Sequence, residues 1–362
     1  MWLYWLMFLI PVALALRESV RRQLVVGAWQ APVFKLPQLW WLIVIGLTLL
    51  IGWRYEVGGD WSNYLRNFEN ATYSVGQEGW WDKDPGYRLL EWIAIQFDWG
   101  IYGVNLLGAF LFSLGLVVFC RHLPRPWLSL AVSIPYLVII LGMGYSRQGI
   151  ALGLLMIGMV ALGNGQVRRF VFWTVLAATF HKSAVVLIPI AALAASRRRF
   201  VTALLVGVVA LVSYVILLQD AVEGLVSGYI DAEYQSQGAL IRLVMNALPA
   251  VILLWKRERF EVTLPQQKLW FWLSLVAIAL LVLYFVSPSS TAVDRMGLYL
   301  LPLQLMVFSY LPEVLGKRRG NNNVWVVAVL VYYAAVEFVW LNFATHAFAW
   351  IPYKFYPFEV LF

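Results

Sequence analysis

Apolar runs of membrane-helix length follow one another along most of this chain, with only short charged interruptions. A bilayer core needs about 20 apolar residues per helical crossing. A backbone placed there has to satisfy its own hydrogen bonds, which leaves helices or closed barrels. The runs lie near 2–16, 38–53, 100–119, 127–145, 149–163, 170–180, 184–195, 200–219, 239–255, 269–286, 297–311 and 324–343. They predict an all-α polytopic membrane protein with about twelve transmembrane or part-spanning helices, both termini outside, and one integral membrane domain over 1–362. The use of 62% hydrophobic and only 13% charged residues excludes an ordinary soluble core.

Two of the runs are too short to cross. Phe170 to Phe180 and Ala184 to Ala195 would each reach roughly 16 to 18 Å as helix. Arg168-Arg169 precede them and Arg197-Arg198-Arg199 follow. Arginine clusters mark the cytoplasmic face, so both ends are expected inside and the pair reads as a re-entrant hairpin. His181-Lys182-Ser183 then occupies its tip, where an ionisable group is a functional candidate. The competing reading is one tilted helix with a snorkelling Lys182.

Charge supports this arrangement. The expected inside loops hold 18 of the 27 basic residues and only four of the 19 acids, a net +14, while the remainder carries −6. Orientation therefore accounts for the net +8, and nucleic-acid binding is not needed to explain it. The opening run is followed by Arg17, Arg21 and Arg22, the reverse of a secretory signal, so it reads as a first helix with its N-terminus outside. The single cysteine, Cys120, excludes an intrachain disulfide and reads as a packing residue.

Nine basic residues fall outside the inner loops: Arg54, Arg66, Lys83, Arg88, Arg147, Lys182, Arg242, Arg295 and Lys354. Outer-face arginines suit a diphosphate at the lipid boundary, because a guanidinium offers a planar fork to phosphate oxygens. The outer surface is expected to comprise loops near 54–99, 220–237 and 287–296 and the tail 344–362. In the first of these, YRLLEWIAIQF reads as an interfacial helix with Arg88 and Glu91 on neighbouring turns. For Arg242 the alternative is outward snorkelling, and for Asp294-Arg295 a plain surface ion pair.

Other chemistries find little support. Asp82-Lys83-Asp84 has the Asp-x-Asp form of a metal site, but a three-residue match in an acidic loop carries little weight. Three histidines, His122, His181 and His346, without a His-Glu-x-x-His helix, do not make a zinc site. Gly144-Tyr145-Ser146-Arg147 lacks the spacing of a serine-nucleophile elbow. Asn70-Ala71-Thr72 fits a glycosylation acceptor, a triplet that chance supplies often. No metal or cofactor is expected.

Several short motifs occur in one order: Arg54-Tyr55-Glu56-Val57-Gly58-Gly59-Asp60-Trp61 with Tyr64, Asp84-Pro85-Gly86-Tyr87, Ser146-Arg147-Gln148-Gly149-Ile150-Ala151, Phe180-His181-Lys182-Ser183-Ala184, and Asp294-Arg295 with Tyr299. As an ordered set they resemble the EpsG family, the Wzy-like polymerases of bacterial extracellular polysaccharide and O-antigen. The sequence departs from the expected pattern at Trp61, where a smaller residue is common, and at Asp84, where Glu is frequent. The resemblance implies a GT-C-like glycosyltransferase of the bacterial cytoplasmic membrane. It would join repeat units carried on a polyprenyl (undecaprenyl) diphosphate at the outer face, without a metal. A chain-length regulator and a flippase are the implied protein partners, alongside membrane lipid.

Glycosyl transfer needs a base at the acceptor hydroxyl and positive charge on the departing diphosphate. The expected base is His181 or Asp60, with His181 preferred for its depth. The diphosphate is assigned to Arg147, Lys182, Arg242 and Arg295, with Arg54 and Arg88 as outer-loop helpers. The sugars fall to Trp61, Tyr64, Tyr87, Asp294 and Tyr299. Three other classes compete: an O-antigen ligase with the same donor chemistry, a membrane O-acyltransferase built on one intramembrane histidine, and a transporter, for which Glu337 in the last helix is the best support.

Overall fold

The structure, a computed structural model, describes residues 1–18, 34, 36–82, 84–187, 236–287, 289–317 and 322–361. The helices are numbered over those residues: α1 (Trp2–Arg17), α2 (Gln38–Gly52), α3 (Trp61–Ser74), α4 (Pro85–Gln96), α5 (Gly100–Arg121), α6 (Pro126–Ser133), α7 (Ser146–Gly163), α8 (Val167–Phe180), α9 (Ala239–Lys256), α10 (Leu264–Tyr284), α11 (Ser290–Gly297), α12 (Leu301–Leu315), α13 (Asn323–Phe343) and α14 (Tyr356–Leu361). Among the described residues the only strand-like pairing is an isolated antiparallel bridge between Arg54 and Phe355.

Among the described residues six helices are long and apolar enough to cross a membrane: α5, α7, α9, α10, α11 running into α12, and α13. Three shorter apolar helices accompany them: α1, α2, and α6 with its continuation to Gly142. The expected count of about twelve crossings is thus represented by six spans and three shorter helices among the described residues. The second hairpin arm beyond Leu187, the helix expected at 200–219 and most of the loop 220–237 lie outside them. The first arm is present as α8, followed by a 3₁₀ turn over Lys182–Val186.

α6 departs from the single helix expected over 127–145. Its α-helical geometry ends at Ser133 and a π-helix runs from Ile134 to Gly142. Pro135 has no N–H to return to the ladder and its ring crowds the preceding turn, which favours a wider coil. The Ile139 carbonyl within it accepts the Trp350 indole N–H at 2.8 Å, tying the tail to this helix.

α5 and α7 cross at a glycine pair. A Cβ on Gly115 would run into the Gly153 carbonyl, and one on Gly153 would lie 2.7 Å from the Phe112 Cα. Small residues at such a crossing let two backbones meet, the main source of helix association in lipid.

The two ends of the bundle differ in chemistry. At one end Arg125 pairs with Glu313 at 2.8 Å, and Arg259 donates to the Val314 carbonyl at 2.9 Å. The other end is closed by the 54–99 segment and the tail. Backbone N–H groups of Tyr55, Gly58 and Tyr356 donate to the carbonyls of Lys354, Ala349 and Trp53 at 3.0, 2.8 and 2.8 Å. Gly58 sits at φ +109°, where a side chain would also strike the Met143 carbonyl, so only glycine fits.

The glycine crossing gives a direct test. Gly153→Leu is expected to lose about 3 kcal/mol, at the top of the usual overpacking range, because the obstacle is backbone. It would appear as a lowered melting temperature in detergent. Gly46→Leu, where a side chain meets nothing within 4 Å, serves as the control and is expected to melt like the unaltered protein.

Candidate functional site

The end closed by the tail gathers most of the residues singled out in the sequence. Its floor is Arg54, 2% exposed. The guanidinium donates to the carbonyls of Ile51 (2.7 Å) and Val57 (3.2 Å), to Asn105 Oδ1 (3.3 Å) and to Ser146 Oγ (2.8 Å). Trp61, itself buried, lies 5.6 Å from it as a ring partner. A buried cation is tolerated only when its donors are used in this way. Arg54 therefore braces α2, α5 and α7 from within, and both it and Trp61 are buried rather than outward-facing.

Ser146 opens α7, and the next residue is Arg147. Its guanidinium donates to Asp84 Oδ2 at 3.0 Å and stacks on Tyr87 at 4.9 Å and Tyr64 at 5.7 Å. The Arg147 backbone N–H reaches Tyr64 Oη at 3.4 Å. Tyr87 is buried and Tyr64 half-buried, and desolvation raises both phenol pKa values, so they remain neutral hydroxyls. The Arg147 Nε–H and the Tyr87 hydroxyl have no hydrogen-bond partner among the described residues. These are donors without acceptors at the edge of a cationic group.

Asp84 is held at φ +45°, a left-handed conformation that costs a non-glycine residue energy, immediately before Pro85 starts α4. Gly86 next to it packs on α8, where a Cβ would meet the Phe180 ring at 2.9 Å. Strain and close approach together set the α4 start against the α8 end, which carries His181. Asp84, Arg295 and Arg147 lie near enough to act on the His181 charge. Burial and the two arginines outweigh Asp84 and push the imidazole pKa down to about 4, so the ring is neutral at pH 7.

Past His181 the turn carries Lys182, which has no hydrogen bond or carboxylate partner among the described residues, and Ser183, whose hydroxyl pairs with Tyr299 Oη at 2.8 Å. Arg295 enters from α11, its guanidinium 4.9 Å from the Tyr145 ring, and its carbonyl accepts Gln148 Nε2 at 3.0 Å. Asp60 caps the start of α3 without a side-chain hydrogen bond, near Tyr64 and Tyr145.

Other expected ligands are engaged elsewhere. Arg242 grips Asp294 through two bonds, 2.7 Å from Nε and 2.6 Å from Nη2, and also donates to Ser236 Oγ at 2.6 Å. Asp294 thus pairs with Arg242 across two helices, so Arg242 is held by a carboxylate rather than snorkelling outward. Arg88 pairs with Glu91 at 2.7 Å within α4 and stacks on Trp80 at 4.8 Å. Tyr299 is buried against Ser183. Among the described residues no three His, Cys, Asp or Glu side chains lie together as a metal would require.

The braces leave only a faint trace in the sequence. Asn105 is a polar residue in an otherwise apolar helix and was a visible signal; Gln148 lay inside a quoted motif. Nothing local marked Tyr145 or Ser236.

The fold and this end define a class: an α-helical polytopic membrane protein whose helix ends hold arginines and a neutral histidine beside aromatic rings. The sequence pattern of the EpsG family matches residues 38–355, and the chain belongs to that family. Membership makes it an exopolysaccharide-related membrane protein of polymerase type. No curated protein and no solved structure matches the chain.

The lowered pKa of His181 predicts an acid sensitivity. The folded state holds a neutral ring down to about pH 4, whereas the unfolded ring takes a proton near 6.5. The unfolded state binds more protons in that window, so stability present above pH 6.5 is lost as pH falls towards 4. Melting of the unaltered protein is expected to drop more steeply across this window than that of His181→Gln; parallel curves would contradict the assignment.

Proposed function

We propose that the protein polymerises oligosaccharide repeat units carried on a polyprenyl diphosphate, at the outer face of the bacterial cytoplasmic membrane. The observation that carries the reading is Arg147. It is fixed by Asp84 and two tyrosine rings and still has an Nε–H without an acceptor. Donors fixed in advance where charge develops are the strongest single source of rate enhancement in transfer reactions.

In this reading the donor's diphosphate lies against Arg147, Arg295 and Lys182. Arg54, Arg88 and Arg242 shape the walls and leave the ligand set. An acceptor hydroxyl attacks the anomeric carbon, and its proton passes to His181. The bond from that carbon to the diphosphate oxygen breaks, and the negative charge departs onto the cations. His181 starts neutral and can accept. The bound diphosphate offsets the arginines that disfavour imidazolium, so the ring becomes a stronger base when donor is present. Asp60, beside Tyr64, is the alternative base. Arginines carry the charge that a metal supplies in other transferases, so the reaction is proposed to be metal-independent.

The excess of basic residues at the opposite end orients the site outward under the positive-inside rule. An outer-face polymerase receives its donor from a flippase and works with a chain-length regulator, the partner classes this reading implies.

Purified protein in lipid, given a polyprenyl-diphosphate-linked repeat unit with a chelator present, is expected to make a product ladder. Arg147→Ala should slow it by about 100-fold or more, the usual cost of one such donor. Arg147→Lys, which keeps charge but not the fork, should fall between. Full activity of both His181→Ala and Asp60→Ala would remove the base from the account.

One observation favours a second reading. Glu337 in α13 is 1% exposed, and neither carboxyl oxygen has a hydrogen-bond partner among the described residues. Buried membrane carboxyls of this kind serve transport in many proteins. No ladder, with uptake of the lipid-linked sugar into vesicles that Glu337→Gln abolishes, would establish a transporter instead.

A further inference from the structure

The basic end holds a feature that the polymerase site does not use. A cavity of about 450 Å³ opens between the end of α9, the start of α10 and the middle of α12. Arg257, Glu258 and Lys268 supply its charge. Its apolar wall includes Leu253, Phe260, Phe271 and Met306. Trp270 also lines it, 1% exposed, with an indole N–H that has no hydrogen-bond partner among the described residues.

The position is that of a lipid headgroup boundary. Arg257 follows the last residue of α9, and Lys268 lies one turn into α10. Met306 sits nine residues before the end of α12, about 13 Å deeper along a helix axis. The cavity therefore runs from a charged rim to apolar side chains within the spans. Arg257 and Lys268 place two cations on the rim beside the Glu258 carboxylate, and cations there suit a phosphodiester. The apolar wall suits an acyl chain, and the buried N–H suits a phosphate or ester oxygen. Basic pockets between membrane helices at a cytoplasmic boundary favour anionic headgroups for the same reasons.

We propose that this cavity is a binding site for one membrane phospholipid of net negative charge. Arg257 and Lys268 hold its phosphodiester, the Trp270 indole donates to a headgroup oxygen, and an acyl chain lies along Phe271 and Met306. Holding α9 to α10 and α12 from below, the lipid fastens the helices that carry Arg242 and, through α11, Arg295 at the far end.

The full-length protein in detergent, stripped of lipid by washing, is titrated with phosphatidylglycerol, diacylglycerol and glycerol phosphate and followed by native mass spectrometry and melting temperature. Phosphatidylglycerol is expected to add one retained lipid per chain and to raise the melting temperature. Diacylglycerol and glycerol phosphate are each expected to do neither. Loss of both cations in Arg257→Gln with Lys268→Gln is expected to weaken retention at least about tenfold, one charge-assisted bond's worth. Trp270→Phe, which keeps the ring and loses only the N–H, is expected to weaken it by a smaller factor. Equal retention by the unaltered protein and both variants would overturn the proposal. So would a shift produced as well by diacylglycerol or glycerol phosphate.

Discussion

The Arg54 guanidinium is the constraint on which the rest of the outer end depends. Once it is removed from water its donors must be answered, and the answers come from α2, the following loop, α5 and α7 together. Ser146 gives one of them, which fixes the first turn of α7 and so the base of Arg147. Replacing this buried cation's partners would leave charge without compensation, a cost of several kcal/mol in an interior of low polarity. The hydrogen-bonded core of the site is thus built on a residue that is itself buried.

Upon that floor the site is assembled from segments far apart in sequence. Asp84 and Arg147 are 63 residues apart, and Arg242 and Asp294 are 52 apart. Each pair consumes one cation's Coulomb energy to fix an element: the first sets α4 against α7, the second sets α9 against α11. The pairs differ in what remains. Arg242 spends its donors on Asp294 and Ser236, whereas Arg147 keeps an unanswered N–H beside His181, Tyr64 and Tyr87. That difference is why Arg147, and not Arg242, is proposed to meet the donor.

What depends on local composition was legible in the sequence. Apolar runs placed α1, α2, α5, α7, α9 and α13 within three residues and α10 and α12 within five, because in lipid the hydrogen-bond requirement makes every such run a helix. The α4 helix and its Arg88–Glu91 pair followed from spacing alone. The arginines were visible as charges in the wrong place, but their partners were not, since pairing across 50 residues leaves no periodic trace. The π-helix after Ser133 had a signal in Pro135, although a proline by itself does not say whether a helix kinks or widens. The tail's role in closing the site, through Trp350 on Ile139 and the backbone bonds to Tyr55 and Gly58, had no signal in its aromatic composition.

The central claim is that the donor's diphosphate docks at the Arg147 end of the bundle. A polyprenyl-diphosphate sugar bearing a photoreactive group beside the diphosphate, irradiated with the protein in lipid and mapped by peptide mass spectrometry, tests it directly. Crosslinks are expected in 84–88, 145–148 and 181–183, competed away by unlabelled donor. Competed crosslinks confined to 253–271, at the basic end, would contradict it.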